Sequence, residues 1–549
     1  MHEMTGREDR RLQPDTASRW RWAALAAALL CVLAIAARVM AFPLQHDEQF
    51  YVSAGVLFSF DGLYDGLGFS HLPNLPILLA AIYGVTGTDH YLFFGRLLIV
   101  AAWGGALGAM WLIGRAYARS MLAAVALVAL LAFNVALLDQ TGMTVTNNFL
   151  PVPFMLGGLY CFFRAVDRPL PSISLAAASG LLLACAAGLK ANYAVLIAPV
   201  AIAALIAPAG GGFAARVSRL IVPMVVGGLV GLGPSLWFFA TDPAGFIAHN
   251  VAFHRGPQLH YWALHADPDA PQVIALRDKL ILARSQWFSG TTLVTAVAIV
   301  TLAFAAGRRL LDWRIALVAA MLALSFALSF LPTPAFPQYY TIPIPFAVLL
   351  LGLIAGVLDD ERRAAARPLL IAAIAVSGVI AAPLLVAALP TVAEPKKVTG
   401  ARVHRDGALI AAMARAGGRT GRIATLGPLH ALEGGVPIYP GLALGPFVYR
   451  ALQWVPADEL RHYRHPVTPA SVGAVLDRDP PAAVVVGYEG ALDRPLLDWA
   501  LAHGYVPTRM KLRNSGDADQ AIVLVAPLAS APRAAPSTPA IPATAVPRR

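Results

Sequence analysis

The feature that most limits this chain is a train of apolar segments, each about 15 to 23 residues long, set apart by short polar breaks. They fall near residues 22–42, 73–87, 92–113, 120–138, 145–163, 173–189, 192–208, 218–240, 289–306, 314–331, 338–357 and 368–389. Most are long enough to cross a hydrocarbon core. A backbone in lipid must satisfy its own hydrogen bonds, so each is expected to be helical. Composition agrees: 58% of the 549 residues are hydrophobic and 13% are charged, against about 25% charged in soluble domains. The expected fold is a polytopic α-helical membrane protein with about 11 to 13 transmembrane helices.

The net charge of +11 does not point to nucleic acid, because the basic residues gather in short loops between apolar segments. These are "GRAYAR" (114–119), "RAVDR" (164–168), "AARVSR" (214–219), "GRRLLDWR" (307–314) and "DDERRAAAR" (359–367). The positive-inside rule places all five in the cytoplasm. No Walker loop, zinc-finger spacing or aromatic-basic surface is present. Cys31, Cys161 and Cys185 lie within apolar runs, where packing is the expected role. Residues 1–21 are polar and basic, and the run after them is long enough to remain as an uncleaved first helix with its N-terminus inside.

The alternating loops then lie outside: 43–72, 139–144, 190–192, 241–288, 332–338 and everything after 390. Parity leaves one conflict. Between the outer loop 43–72 and the inner loop 114–119 an odd number of crossings is needed, yet two apolar segments lie there. Segment 73–87 is short and carries Pro73 and Pro76, so it is expected to be re-entrant or partial.

The outer loops hold nearly all residues able to do chemistry. "QHDEQFY" (45–51) puts His46, Asp47 and Glu48 just beyond the first helix, with Phe50 and Tyr51 after them. This is either a wet loop or a carboxylate held at the bilayer surface, where partial desolvation raises its basicity. "FSFDGLYDGLGFSHLPNLPILL" (58–79) reads as one or more helices along the membrane surface, with His71 and Asn74 bracketing Pro73. "LLDQTGMTVTNNFLPVPF" (137–154) brings Asp139, Asn147 and Asn148 to a helical hairpin, the two amides inside the next apolar run; buried amides need partners in a neighbouring helix or a substrate. Lys190 and Tyr193 sit in "GLKANYAVLIAP", where the ammonium would meet lipid phosphate or a substrate phosphate. Residues 241–288 contain His249, His254, His260 and His265 at steps that do not match helical metal-ligand spacing, together with Arg255, Tyr261 and Trp262 for phosphate contact and sugar stacking. "PTPAFPQYYTIPIPF" sets Gln338, Tyr339 and Tyr340 at a helix mouth. Polar groups massed at one face suit an enzyme acting on a lipid-linked substrate better than a transporter, whose polar groups belong near the midplane.

Beyond 390 the composition turns soluble. "GRIATLG", "AAVVVGY" and "AIVLVAP" read as buried strands; "ARVHRDGALIAAMARAG" and "RPLLDWALAHG" read as helices. A small α/β domain outside the membrane, residues 391–528, is expected after a membrane domain spanning 22–390, with residues 529–549 a disordered tail. No motif in it suggests catalysis; acceptor binding is the role left open to it.

"HDEQFY" after the first helix, "HLPNLP", "DQTGMTVTNNF", "GLKANYAVLIAP" and "FPQYYTIPIPF", in that order over roughly 20–360, resemble the GT-C membrane glycosyltransferases, in particular family 39 and its bacterial relatives. These include protein O-mannosyltransferases, the lipid A aminoarabinose transferase and rhizobial lipopolysaccharide galacturonosyltransferases. The resemblance implies a periplasmic-face site, a polyprenyl-phosphate sugar donor and inversion at the anomeric carbon. It makes Asp47 the catalytic carboxylate with Glu48 in support. Lys190 and Arg255 become phosphate contacts, with Gln338 and Tyr339 on the donor side. His46, Tyr51, His71, Asn74, Asp139, Asn147, Asn148 and Tyr193 would line the cavity. The aminoarabinose transferase has a lysine early in its second helix, where this chain has "HLPNLP". A divalent cation is the one cofactor left open, with metal ligands unassigned. The partners implied are the donor, a glycolipid, polysaccharide or protein acceptor, and the lipids of a bacterial inner membrane. A transporter or lipid flippase is the alternative, and a non-catalytic scaffold the third reading.

Overall fold

The computed structural model describes residues 29–265, 274–512 and 520–527. The N-terminal residues 1–28, part of the expected 241–288 loop and the expected tail lie outside these. Among the described residues, six helices are long and apolar enough to cross a membrane: Tyr91–Tyr117, Gly212–Gly231, Gly290–Leu311, Trp313–Phe330, Pro337–Val357 and Asp360–Ala393. Shorter apolar helices, Leu29–Ala41, Asn74–Thr86, Met121–Ala132, Pro151–Val166, Ile173–Leu189 and Asn192–Ile206, pack among them. The chain is a polytopic helical membrane protein. Helix Pro337–Val357 is the most buried of the long spans. Helices Ile173–Leu189 and Val222–Gly231 touch backbone to backbone: a Cβ on Gly180 would lie 1.9 Å from Met224 O, and one on Gly227 2.0 Å from Ala177 O. Small residues permit this approach where lipid supplies no hydrophobic drive for helices to associate.

The basic loops meet at one end of the bundle. Tyr117 donates to Asp167 at 2.6 Å, Arg314 binds the same carboxylate, Arg309 donates to Asp359 at 2.6 Å, and Arg219 donates to the Pro171 carbonyl at 3.1 Å. The parity conflict resolves at the other end. Helix Asn74–Thr86 has 13 residues, about 20 Å of rise, too short for a hydrocarbon core. Its first residue, Asn74, packs on Gly188 and donates to the Gly231 carbonyl at 3.3 Å. Its last residues lead into His90, which stacks on His404 of the C-terminal unit. Both ends therefore stay away from the basic loops, as the re-entrant or partial segment expected from parity would.

Three local expectations are corrected. Residues 58–73 form turns and extended chain rather than surface helices; three glycines in ten residues disfavour a helix, and Gly68 sits at φ 75°. A helix lies upstream instead, at His46–Val56, and most of it is buried. Asn147 and Asn148 precede a helix rather than lie inside it: the run 142–150 is turns, and the next helix opens on Pro151, whose missing N–H is tolerated at a first helical position. The loop 241–265 is not loop but a succession of short helices ending with Pro257–Leu264.

The C-terminal unit is the expected small α/β sheet. Its strands are β1 (Ile423–Thr425), β2 (Ala483–Val486), β3 (Val506–Lys511) and β4 (Gln520–Val525), in the order β1-β2-β4-β3. β1 runs parallel to β2, with Ile423 opposite Ala483; the other pairings are antiparallel. β1 and β2 are buried throughout, as their unbroken apolar runs required. β3 was not foreseen: it is an edge strand whose residues "VPTRMK" are nearly all exposed. The unit is seated on the membrane part through Thr399, which donates to the Phe42 carbonyl at 2.7 Å, and Arg464, which binds Asp65 at 2.5 Å.

Candidate active site

The junction between the two parts encloses a cavity of about 1360 Å³ at the end opposite the basic loops. Helix His46–Val56 supplies its first wall. Glu48 fixes that helix: its Oε1 accepts from Arg96 Nε at 2.9 Å and from the Val145 N–H at 3.0 Å, and its Oε2 accepts from Arg96 Nη2 at 2.6 Å and from the Gln45 N–H at 3.0 Å. Arg96 also donates to the carbonyls of Val39, Phe42 and Pro43. Both side chains are wholly buried. Glu48 is therefore not brought to the cavity; it anchors the helix start from behind. Asp47, one residue earlier and about 100° around the helix, faces into the cavity.

Two cations stand near Asp47. Lys190, buried, closes helix Ile173–Leu189, donates to Asn148 Oδ1 at 2.5 Å and lies 4.9 Å from the centre of the Tyr339 ring. Burial lowers its pKa to about 8 against the opposing pull of Asp47. Arg450, from the C-terminal unit, is 6% exposed and lies against the rings of Tyr261, Trp262 and Phe447 at 5.0, 4.6 and 5.1 Å. Among the described residues its Nε has no hydrogen-bond partner. Burial raises the pKa of Asp47, while Arg450 and Lys190 hold it down. His46 meets Glu489 at 3.2 Å, and burial lowers its pKa to about 4.

His46, Asp47, Tyr51, His71, Asn147, Asn148, Lys190, Arg255, Gln338 and Tyr339 all line this one cavity. Asn74 is turned to the Gly231 carbonyl, and Tyr193 is buried in a packed region with Met155 and Phe346. Asp139 lies on the one-turn π-helix Leu137–Thr141, beside Arg38, rather than in the cavity. Sequence reasoning missed Arg450, Phe447 and Glu489, all from the unit in which it found no sign of catalysis. The only available signal was an arginine among aromatic and proline residues in "GPFVYRALQW".

The four histidines of 249–265 do not form a metal cluster. His249 bonds the His462 carbonyl, His254 the Ser70 carbonyl and His265 the Tyr261 carbonyl, while His260 rests against Trp454. A hard divalent cation takes several oxygen ligands of net negative charge. Asp47 has a lysine and an arginine near it and Glu489 is met by His46, so the cavity gathers no such ligand set among the described residues.

No family model and no curated protein matches the sequence. Solved structures do match in three dimensions. ArnT from Cupriavidus metallidurans in the apo state has a TM-score of 0.58 at 14% identity, over 94% of this chain and 100% of that one. ArnT from the same organism bound to undecaprenyl phosphate has a TM-score of 0.60 at 14% identity, over 93% and 99%. This chain has the GT-C fold. The apo oligosaccharyltransferase of Archaeoglobus fulgidus aligns more loosely, at a TM-score of 0.48 and 12% identity over 92% of this chain and 75% of that one. The GT-C match runs through the C-terminal unit as well as the membrane helices, given how much of the chain it covers.

Proposed function

We propose that the protein is an inverting glycosyltransferase that moves a sugar from a polyprenyl-phosphate donor to an acceptor at the outer face of a bacterial inner membrane. The observation that carries this reading is a half-buried carboxylate, Asp47, flanked by the buried cations Lys190 and Arg450 in a cavity at the end away from the basic loops. The GT-C fold, and a matching ArnT bound to undecaprenyl phosphate, support it. By the positive-inside rule the N-terminus is cytoplasmic and the C-terminal unit periplasmic.

A polyprenyl phosphate is a good leaving group, so the transition state is oxocarbenium-like, with positive charge at the anomeric carbon and negative charge on the departing phosphate. Asp47 takes the proton from the attacking acceptor hydroxyl. Lys190 stabilises the phosphate as the bond to it breaks, in a site where low dielectric strengthens the pairing. Arg255, Gln338 and Tyr339 position the donor; Asn148 holds the Lys190 ammonium. The Arg450 side, built by the C-terminal unit, receives the acceptor. Inversion needs one activated carboxylate, not a nucleophile paired with an acid.

The test is a deletion strain complemented with wild type or Asp47→Asn at matched membrane levels, with envelope glycolipids, including lipopolysaccharide, and glycoproteins compared by mass spectrometry. Wild type is expected to restore one sugar-sized mass increment and the variant none. Equal restoration removes Asp47 from the reaction. A deletion that alters no glycan favours a transporter or flippase.

A further inference from the structure

A second cluster lies outside the cavity, where the membrane helix Tyr91–Tyr117 meets the C-terminal unit. Asp89 and His90 form the turn before that helix; His404 comes from helix Thr399–Arg415, more than 300 residues later. One ligand atom from each of the three lies within 4.8 Å of the others. The rings of His90 and His404 stack with centroids 3.7 Å apart. Behind them, His404 Nδ1 meets Glu433 Oε2 at 2.9 Å, and Glu433 Oε1 accepts from the Leu92 N–H at 2.8 Å. The Glu433 side chain is fully buried. His404 also hydrogen-bonds the Asp89 backbone.

We propose that Asp89, His90 and His404 bind a zinc-class divalent cation that clamps the C-terminal unit to the membrane helix. Two imidazoles and a carboxylate are a borderline-soft donor set, suited to zinc rather than to magnesium or calcium. Three protein ligands leave the fourth tetrahedral position for water, which the exposure of Asp89 and His90 provides. Glu433 does what carboxylates behind metal-bound histidines do: it fixes Nδ1, and hence the tautomer and ring plane. The metal would take the place of the bond His404 makes to the Asp89 backbone. Tetrahedral bonds of about 2.1 Å place ligand atoms about 3.4 Å apart. The longest separation must close by somewhat more than 1 Å, which rotation of two exposed side chains supplies. The site is separate from the Asp47 cavity, and the inference stands whatever reaction that cavity performs.

The test uses the full-length, untagged protein in detergent, stripped with chelator and titrated with zinc chloride, with magnesium chloride as control. Bound metal is measured by mass spectrometry and unfolding by a thermal scan. The variant Asp89→Asn/His90→Gln alters exposed side chains and leaves the buried Glu433 in place. Wild type is expected to retain one zinc and to unfold at a higher temperature with zinc than with chelator; the variant should lose both effects. Glu433→Gln should weaken zinc binding about 10–100-fold. Zinc bound equally by wild type and the Asp89→Asn/His90→Gln variant places the metal elsewhere and overturns the proposal, as does a wild type that retains no zinc.

Discussion

The two ends of the helical bundle handle charge in opposite ways. At the basic end, arginines meet carboxylates in the open: Arg309 with Asp359, Arg314 with Asp167, Arg363 with Asp360. Such pairs contribute little to stability because water screens them. They hold one end of the protein on one side of the membrane. At the other end, Lys190 and Arg450 are buried, and neither makes a salt bridge among the described residues. A buried cation without a close counter-ion is costly, and folds retain such groups where a ligand will supply the missing charge. Glu48 and Arg96 mark the boundary: equally buried, but fully matched to each other. Charge at one end sets direction, and at the other it is held ready for a substrate.

The sharpest way to break this contrast is at Asp47. Asp47→Asn keeps the size and removes the base, so transfer should fall about 10²- to 10⁴-fold, while the melting temperature in detergent stays the same or rises. The matched pair behind it should behave in reverse. Arg96→Met strands the Glu48 carboxylate and should cost about 3–5 kcal/mol of stability, read as a loss of folded protein in membranes. The double variant Glu48→Leu/Arg96→Met should recover part of that loss; no recovery would mean that the chain between Val39 and Gln45, not the charge pair, needs the arginine.

Next in size are the two cations. Lys190→Met should lower kcat/KM for the donor about 10- to 100-fold, the worth of a hydrogen bond to a charged group. Arg450→Lys should fail to restore what Arg450→Met loses, since an ammonium cannot lie flat against Tyr261 and Trp262 as a guanidinium does.

The pH profile sharpens the same point. Asp47 must be ionised, and burial raises its pKa, so activity should be lost as pH falls through a value above that of an exposed aspartate, about 3.9. Lys190 must be protonated, so activity should also fall as pH rises through about 8. Lys190→Arg should shift that alkaline limb upward, because a guanidinium stays charged; an unmoved limb would assign it to another group. The smallest effect belongs to the basic end. Asp167→Asn should change stability by less than about 1 kcal/mol, with transfer unaffected.

The sequence alone determined the membrane architecture, the separation of basic from reactive loops and the α/β character of the C-terminal unit. Each follows from a local property: segment length against bilayer thickness, loop charge, and unbroken apolar runs in β1 and β2. It also marked ten residues that do meet in one cavity, because short loops at one face of a bundle cannot lie far apart. Only the tertiary structure separated Asp47 from Glu48, since which face of a helix points inward depends on what packs against it. Only the tertiary structure brought in Arg450 and Glu489, some 400 residues from Asp47 along the chain. No local pattern records a contact of that range, and the unit that carries them is ordinary in composition. The same holds for Asp89, His90 and His404: two short segments with no motif between them, joined because one helix start and one helix side meet where the two parts of the molecule are docked.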